Sequence, residues 1–263
     1  LMSNSKLCES CEDPNQAQHV INLSDHATTS PPQTIEIYLE DKKKLYDFIY
    51  EYLENDEYDN QTDFFHELTK ILNEQDNFRE EMEQFLEIVK SISDNHHRYP
   101  TFINKIKNIL EHYCDQMKQT FKNTELFHIF ESNKMLVLFL LEKKIIKISK
   151  MIYNEMMNKY ESNGNRYCYF FYPELEKFAG NESMKNVKKE LLQINENIFE
   201  NYEDKRQEGE NDSYICSLIR QDSIEEFVSY INRNNYSLSC KISSSIFETN
   251  SFLIEKKNTT LIE

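Results

Sequence analysis

An all-α fold is what this 263-residue sequence predicts, and three observations carry that reading. Apolar residues recur three and four positions apart through most of the chain, the spacing of one face of a helix. Glycine and proline are scarce, at 3 and 5 residues, and Lys, Glu, Leu and Ile are plentiful, a balance that favours helices. A single run, Tyr167 to Tyr172, is strand-like in composition, and one strand without partners cannot build a sheet. The predicted architecture is a series of antiparallel helix hairpins behind a disordered N-terminal tail.

The tail comes first. Residues 1–33 show neither helical nor strand period and close on Pro31-Pro32, so they read as disordered. Leu1 stands before Met2, which suggests that the natural chain does not start here. An acidic helical region is expected over 34–98. Leu45, Phe48, Ile49, Tyr52 and Leu53 make one stripe; Phe64, Phe65, Leu68, Ile71 and Leu72 make a second. Asn77, three residues before Glu80, is expected to cap a third, formed by Phe78, Met82, Phe85, Val89 and Ile92.

A seam is placed at Asp94–Pro100, because proline disfavours helix in the residue before it. Residues 99–204 then form a second helical region. Ile103, Ile106, Leu110, Tyr113, Met117 and Phe121 predict one helix, and Leu126, Phe127, Ile129 and Phe130 a short one. The apolar run Met135–Leu141 is expected to continue through Ile145, Ile148 and Ile152 as a single basic amphipathic helix over 135–153. Lys143, Lys144, Lys147 and Lys150 lie off its apolar seam. Residues 129–139 loosely repeat the pattern of 218–228, suggesting a degenerate helix pair. The aromatic run 167–172 is read as core, in an extended linker or at the start of a helix after Pro173. Met184, Val187, Leu191, Ile194, Ile198 and Tyr202 predict one long helix.

Residues 205–263 hold two short stripes: Tyr214, Ile215, Leu218 and Ile219, then Ile224, Phe227, Val228 and Ile231. Ser223 stands three residues before Glu226, the spacing of a reciprocal cap. Helices this short across so short a turn must lie antiparallel. The hairpin has two apolar faces and buries one, so the other needs a neighbour, which is the logic of stacked repeats. Asn234-Asn235 is expected to end the second helix, and 237–258 to form a projecting, poorly ordered loop.

Asp222-Ser223-Ile224-Glu225-Glu226-Phe227-Val228 resembles the inter-helix turn and second helix of an ankyrin repeat. Thr259-Thr260-Leu261-Ile262 resembles the Thr-Pro-Leu-His that opens the next repeat, with Thr260 in place of proline and Ile262 in place of histidine. The last fifty or so residues, and more weakly the chain back to about Tyr99, resemble the ankyrin-repeat proteins expanded in trichomonad-type protists. The resemblance implies a helical N-terminal region leading into an array that continues past Glu263, and a role in binding other proteins.

Composition narrows the function. With 30 basic against 46 acidic residues the net charge is −16, which argues against general nucleic-acid binding, where phosphates require a basic surface. Three glycines leave almost no room for a phosphate-cradling loop. The carboxylates of 36–63 lack the alternation and central glycine of a calcium loop and read as a solvated face. Cys8-x-x-Cys11 supplies two good zinc ligands, but His19 and His26 fit no common finger spacing, so the pair reads as surface thiols. His96-His97 reads as exposed linker. With six cysteines and no apolar leader, an intracellular, cytoplasmic, reducing location is expected. The leading reading is a non-enzymatic protein-interaction scaffold of ankyrin-repeat type, with no catalytic, cofactor or metal residues. Two alternatives remain: a helical self-association module, and a peripheral membrane binder acting through helix 135–153.

Overall fold

Apolar stripes set most of the helices in the computed structural model, which describes residues 33–55, 61–73, 77–96, 100–161 and 164–249. Cys8, Cys11, His19, His26, His97, most of the 1–33 segment and Thr259–Ile262 lie outside the described residues. The chain divides into two units, 1–41 and 42–263. Of the first, the described part is the opening of helix α1 (Gln33–Glu54). The second holds the rest of α1 and every later helix.

Among the described residues there are fourteen helices and no strands, so the fold is all-α. A single antiparallel bridge joins Tyr160 and Arg166. Leu45, Ile49, Tyr52 and Leu53 of α1 are buried, as are Phe64, Phe65, Leu68 and Leu72 of α2 (Gln61–Asn73). Tyr52 stacks on Phe64 with ring centres 3.7 Å apart. In α3 (Phe78–Asn95) the Asn77 side chain accepts from the Glu80 N–H, the cap its spacing predicts. Met82, Phe85, Val89 and Ile92 are buried below it.

Helix breaks fall where the periodicity is silent. The helix expected over 103–121 is two, α4 (Pro100–His112) and α5 (Cys114–Thr120). The ladder runs on through Tyr113, whose N–H reaches Ile109 O and whose O accepts from Met117. Its ψ of 11° bends the axis, and its hydroxyl meets Thr69 Oγ1 at 2.9 Å.

The continuous basic helix over 135–153 does not exist. After α6 (Asn123–Phe130), α7 (Lys134–Glu142) stops where Lys144 turns left-handed at φ 56°. Ile145 N–H then bonds Leu140 O at 2.8 Å and Lys144 N–H bonds Leu141 O at 3.1 Å, a Schellman ending. The physical reason is that α7 is apolar all round, with Leu136 through Leu140 buried, so it is a core helix rather than a surface one. Stopping it delivers Ile145 and Ile146 to the same interior. The lysines fall on the turn and at the start of α8 (Lys150–Asn158), which begins with Ser149 accepting from Ile152 N–H.

The aromatic run is core, as its composition implies, but it is helical. Tyr167, Cys168, Phe170, Phe171 and Tyr172 are all buried, in α9 (Tyr167–Phe170) and the start of α10 (Tyr172–Ala179), where Pro173 takes the first turn. Gly180, at φ 83°, turns the chain into α11 (Asn181–Ile194). The long helix expected to reach Tyr202 ends at Ile194. Asn195 is extended and its side chain accepts from Asn197 N–H, an Asx turn that competes with the helix. The turn re-aims Ile198 and Tyr202 into the core.

Helix α12 (Tyr202–Glu208) ends on Gly209 at φ 68°. A hairpin of α13 (Tyr214–Arg220) and α14 (Ile224–Asn234) comes next. Ser223 does not cap α14 with its side chain. Its N–H is already bonded to Leu218 O at 3.0 Å, as the residue after a left-handed Asp222, so the donor that Glu226 would cap is taken.

The segment after α14 departs furthest from its composition. A projecting loop is expected over 237–258; residues 250–258 lie outside the described residues and 237–244 are largely exposed, yet Ile246 and Phe247 are buried in the core and Ser245, Glu248 and Thr249 are buried with them. Phe247 packs edge-on against Tyr202 with centroids 5.0 Å apart. Thr249 N–H and Oγ1 both donate to Gly209 O, at 2.9 and 3.1 Å. A Cβ at 209 would stand 2.5 Å from Thr249 Oγ1, so glycine permits the approach. The anchors of this return path are single residues in a polar stretch, with no period to mark them. Phe247→Ala is expected to destabilise the protein by about 3–5 kcal/mol, measured by urea unfolding, and the amides of Phe247 and Thr249 should be among the slow hydrogen exchangers. Free exchange at both would contradict the placement.

Candidate functional site

Among the described residues, more exposed large apolar side chains fall on the α13–α14 hairpin and the residues just after it than on any other part of the fold. Tyr214 and Ile219 of α13 and Ile224 and Val228 of α14 are 48–66% exposed, and Tyr236 and Leu238 just beyond are 42% and 51% exposed. Only Leu218 and Ile231 of this hairpin are buried. Tyr214 and Tyr230 meet edge-on at 5.0 Å across its two helices. The sequence expectation of a hairpin with one face uncovered agrees with these exposures.

The α6–α7 pair has the same construction. Each pair is joined by a three-residue connection, Glu131–Asn133 in one and Gln221–Ser223 in the other. Each second helix ends on a left-handed residue, Lys144 or Asn235. Beyond it, Tyr236 N–H bonds Ile231 O at 3.0 Å just as Ile145 N–H bonds Leu140 O. Burial separates them: Leu126, Phe127, Ile129 and Phe130 of α6 are buried together with the whole centre of α7.

Two buried cations tie other elements of the fold together. Lys134 Nζ lies 2.7 Å from Glu161 Oε1 with side chains 2% and 7% exposed, and 3.4 Å from Ile246 O. Burial lowers the Lys134 pKa, and Glu161 opposes that shift. Arg206 is 2% exposed and grips Glu174 through both terminal nitrogens at 2.7 and 2.9 Å. It also binds Phe170 O and Glu203. Burial alone would lower the Arg206 pKa, but the two carboxylates raise it. Glu248 accepts from Asn211 Nδ2 at 3.0 Å and from Ser245 N–H at 3.1 Å. Its pKa is raised by burial.

Other candidates from the sequence scatter. The carboxylates Glu40, Asp47, Glu51, Glu54 and Asp63 are exposed. His96 is half-buried, 5.2 Å from the Tyr50 ring and 5.4 Å from Phe102, rather than exposed linker. Lys143, Lys144, Lys147 and Lys150 are exposed, with Lys143 bonded to Glu111. An open cleft of about 970 Å³ beside α2 and α4 has a stacked pair, Phe65 and His112, 3.9 Å apart in its wall. Thr69 and Glu111 in that wall are already engaged by Tyr113 and Lys143.

One metal-capable group escapes a reading of the sequence: His128, Glu131 and Glu155. The His-x-x-Glu spacing that puts two of them on one helical face is visible, but nothing in the sequence brings Glu155 to it. No helix among the described residues is long and apolar enough to cross a membrane. Compared with protein families, curated proteins and solved structures, the chain has no match.

Two outcomes are expected here. Lys134→Met alone should cost about 3–5 kcal/mol because it strands a buried carboxylate, whereas Lys134→Met with Glu161→Gln should recover most of that; urea denaturation of both variants measures it. Cys168 is fully buried and its thiol is pushed up to about 11. Only the thiolate alkylates, so Cys168 should resist iodoacetamide at neutral pH until the chain unfolds, as read by peptide mass spectrometry.

Proposed function

We propose that this chain is a non-enzymatic protein-interaction scaffold made of helix hairpins, whose working surface is the uncovered face of α13–α14. The observation that carries the reading is the contrast between two hairpins of one construction. The α6–α7 pair is buried among its neighbours, while α13–α14 exposes Tyr214, Ile219, Ile224 and Val228. Fully burying an apolar side chain of this size stabilises by about 1.5–3 kcal/mol, so the open face favours an apolar, helical neighbour. A further hairpin of the same kind, as in an ankyrin-type array, fits that description. The resemblance of residues 222–228 to an ankyrin repeat supports the same partner class.

A cytoplasmic location belongs to this proposal. Cys114, Cys168, Cys216 and Cys240 are free thiols, which suits a reducing compartment.

The test places a photo-crosslinking residue at Tyr214 in the full chain, in cells, beside Ile224→Asp/Val228→Asp. Both replaced side chains are exposed, so stability should move by no more than about 0.5 kcal/mol. A specific protein adduct lost in the double variant is the expected result. An adduct with a second copy of the chain would instead favour the self-association reading. An adduct unchanged in the double variant, or none above a control crosslinker at exposed Met151, would sink the proposal.

A further inference from the structure

A second site, independent of the hairpin face, lies where α6 meets α8. His128 and Glu131 sit three residues apart at the C-terminal end of α6, on one side of the helix. Glu155 approaches from α8. His128 Nε2 is 2.8 Å from Glu155 Oε2, and one donor atom from each of the three residues lies within 4.8 Å of the other two. We propose that His128, Glu131 and Glu155 bind a divalent transition-metal ion of the Zn2+ class.

The donor set decides the class of ion. Ca2+ and Mg2+ prefer cages of six or more oxygens, whereas one imidazole with two carboxylates suits zinc and its neighbours. Three protein ligands leave a fourth tetrahedral position for water. At metal–ligand distances of about 2.0–2.2 Å the donors of such a site stand about 3.4 Å apart. Closing from 4.8 Å to that spacing needs only side-chain rotation, because His128 and Glu155 are 51% and 34% exposed and Glu131 is 40% exposed.

Glu131 is already held from outside. Lys159 Nζ lies 3.3 Å from its Oε1 and 3.4 Å from its backbone oxygen. The same ammonium sits 5.0 Å above the Tyr167 ring. A lysine on one carboxylate oxygen leaves the other for the ion, and ligands of metal sites are commonly oriented by such outer hydrogen bonds. The metal would sit between His128 Nε2 and Glu155 Oε2, which now face each other directly. The bound ion would tie α6 to α8 across α7 and the 143–149 connection. Binding the folded form alone, it raises the melting temperature by mass action.

The test uses the full chain carrying Cys8→Ser and Cys11→Ser, so that those thiols do not compete. Zn2+ alone is titrated at neutral pH by calorimetry, with thermal unfolding in parallel. The expected result is one Zn2+ per chain with a Kd of about 10 μM or tighter and a raised Tm. His128→Ala and Glu155→Gln should each weaken binding about tenfold or more. Glu155→Gln keeps an acceptor for His128, so it reads the loss of a ligand charge and not of the hydrogen bond. Circular dichroism of both variants should match the parent, since the side chains are on the surface. Binding no tighter than about 1 mM, or equal binding in parent and variants, would overturn the site and leave an ordinary surface ion pair.

Discussion

One buried ammonium group joins the distant parts of this fold. Lys134 opens α7, where the positive end of the helix dipole disfavours a cation, and it is 2% exposed. Desolvating it there is costly unless it is paired and hydrogen-bonded. The partners come from three separate stretches: Glu161 from the turn before α9, the Phe170 ring at 5.0 Å, and the Ile246 carbonyl. Each must arrive for the charge to be tolerated. The hairpin α6–α7, the aromatic helices and the C-terminal return are therefore mutually dependent, and the network discriminates against alternative packings that would leave any one of them out.

Arg206 plays a matching part beside the aromatic helices. Its bidentate grip on Glu174 and its bond to Phe170 O hold α12 against α9 and α10. Tyr202, one turn earlier on α12, donates its hydroxyl to Tyr169 O and stands against Phe247. Polar groups thus specify which helices meet, while the apolar stripes supply the bulk of the driving force.

The sequence announces what is local. Stripes in α1, α2 and α3 and the Asn77 cap depend on residues within a few positions of each other, and all appear as read. The uncovered hairpin face is legible for the same reason, since a hairpin of two short helices buries only one of its two apolar faces within itself and the other needs a neighbour. The features without a sequence signal depend on distant residues. The stop at Glu142 comes from α7 being enclosed, and the return of Phe247 from a hollow lined by Tyr202 and Lys205. Ser223 has the spacing of a cap, but its N–H is claimed by Leu218 O. His128, Glu131 and Glu155 converge through the α6–α8 packing, which no spacing encodes.

The return of residues 245–249 also bears on how the chain is made. Synthesis runs from the N-terminus, and helices generally assemble as they emerge. Here the Ile246 carbonyl meets Lys134 across 112 positions of sequence, and closing so long a loop is entropically slow. Until residues 245–249 leave the ribosome, the cation of Lys134 lacks one of its acceptors and the Phe247 hollow stands open. Helices α1 to α5 can settle early, but the interior around α7 and α12 is completed only once residues 245–249 have emerged, which leaves the nascent chain exposing unfilled apolar surface until then.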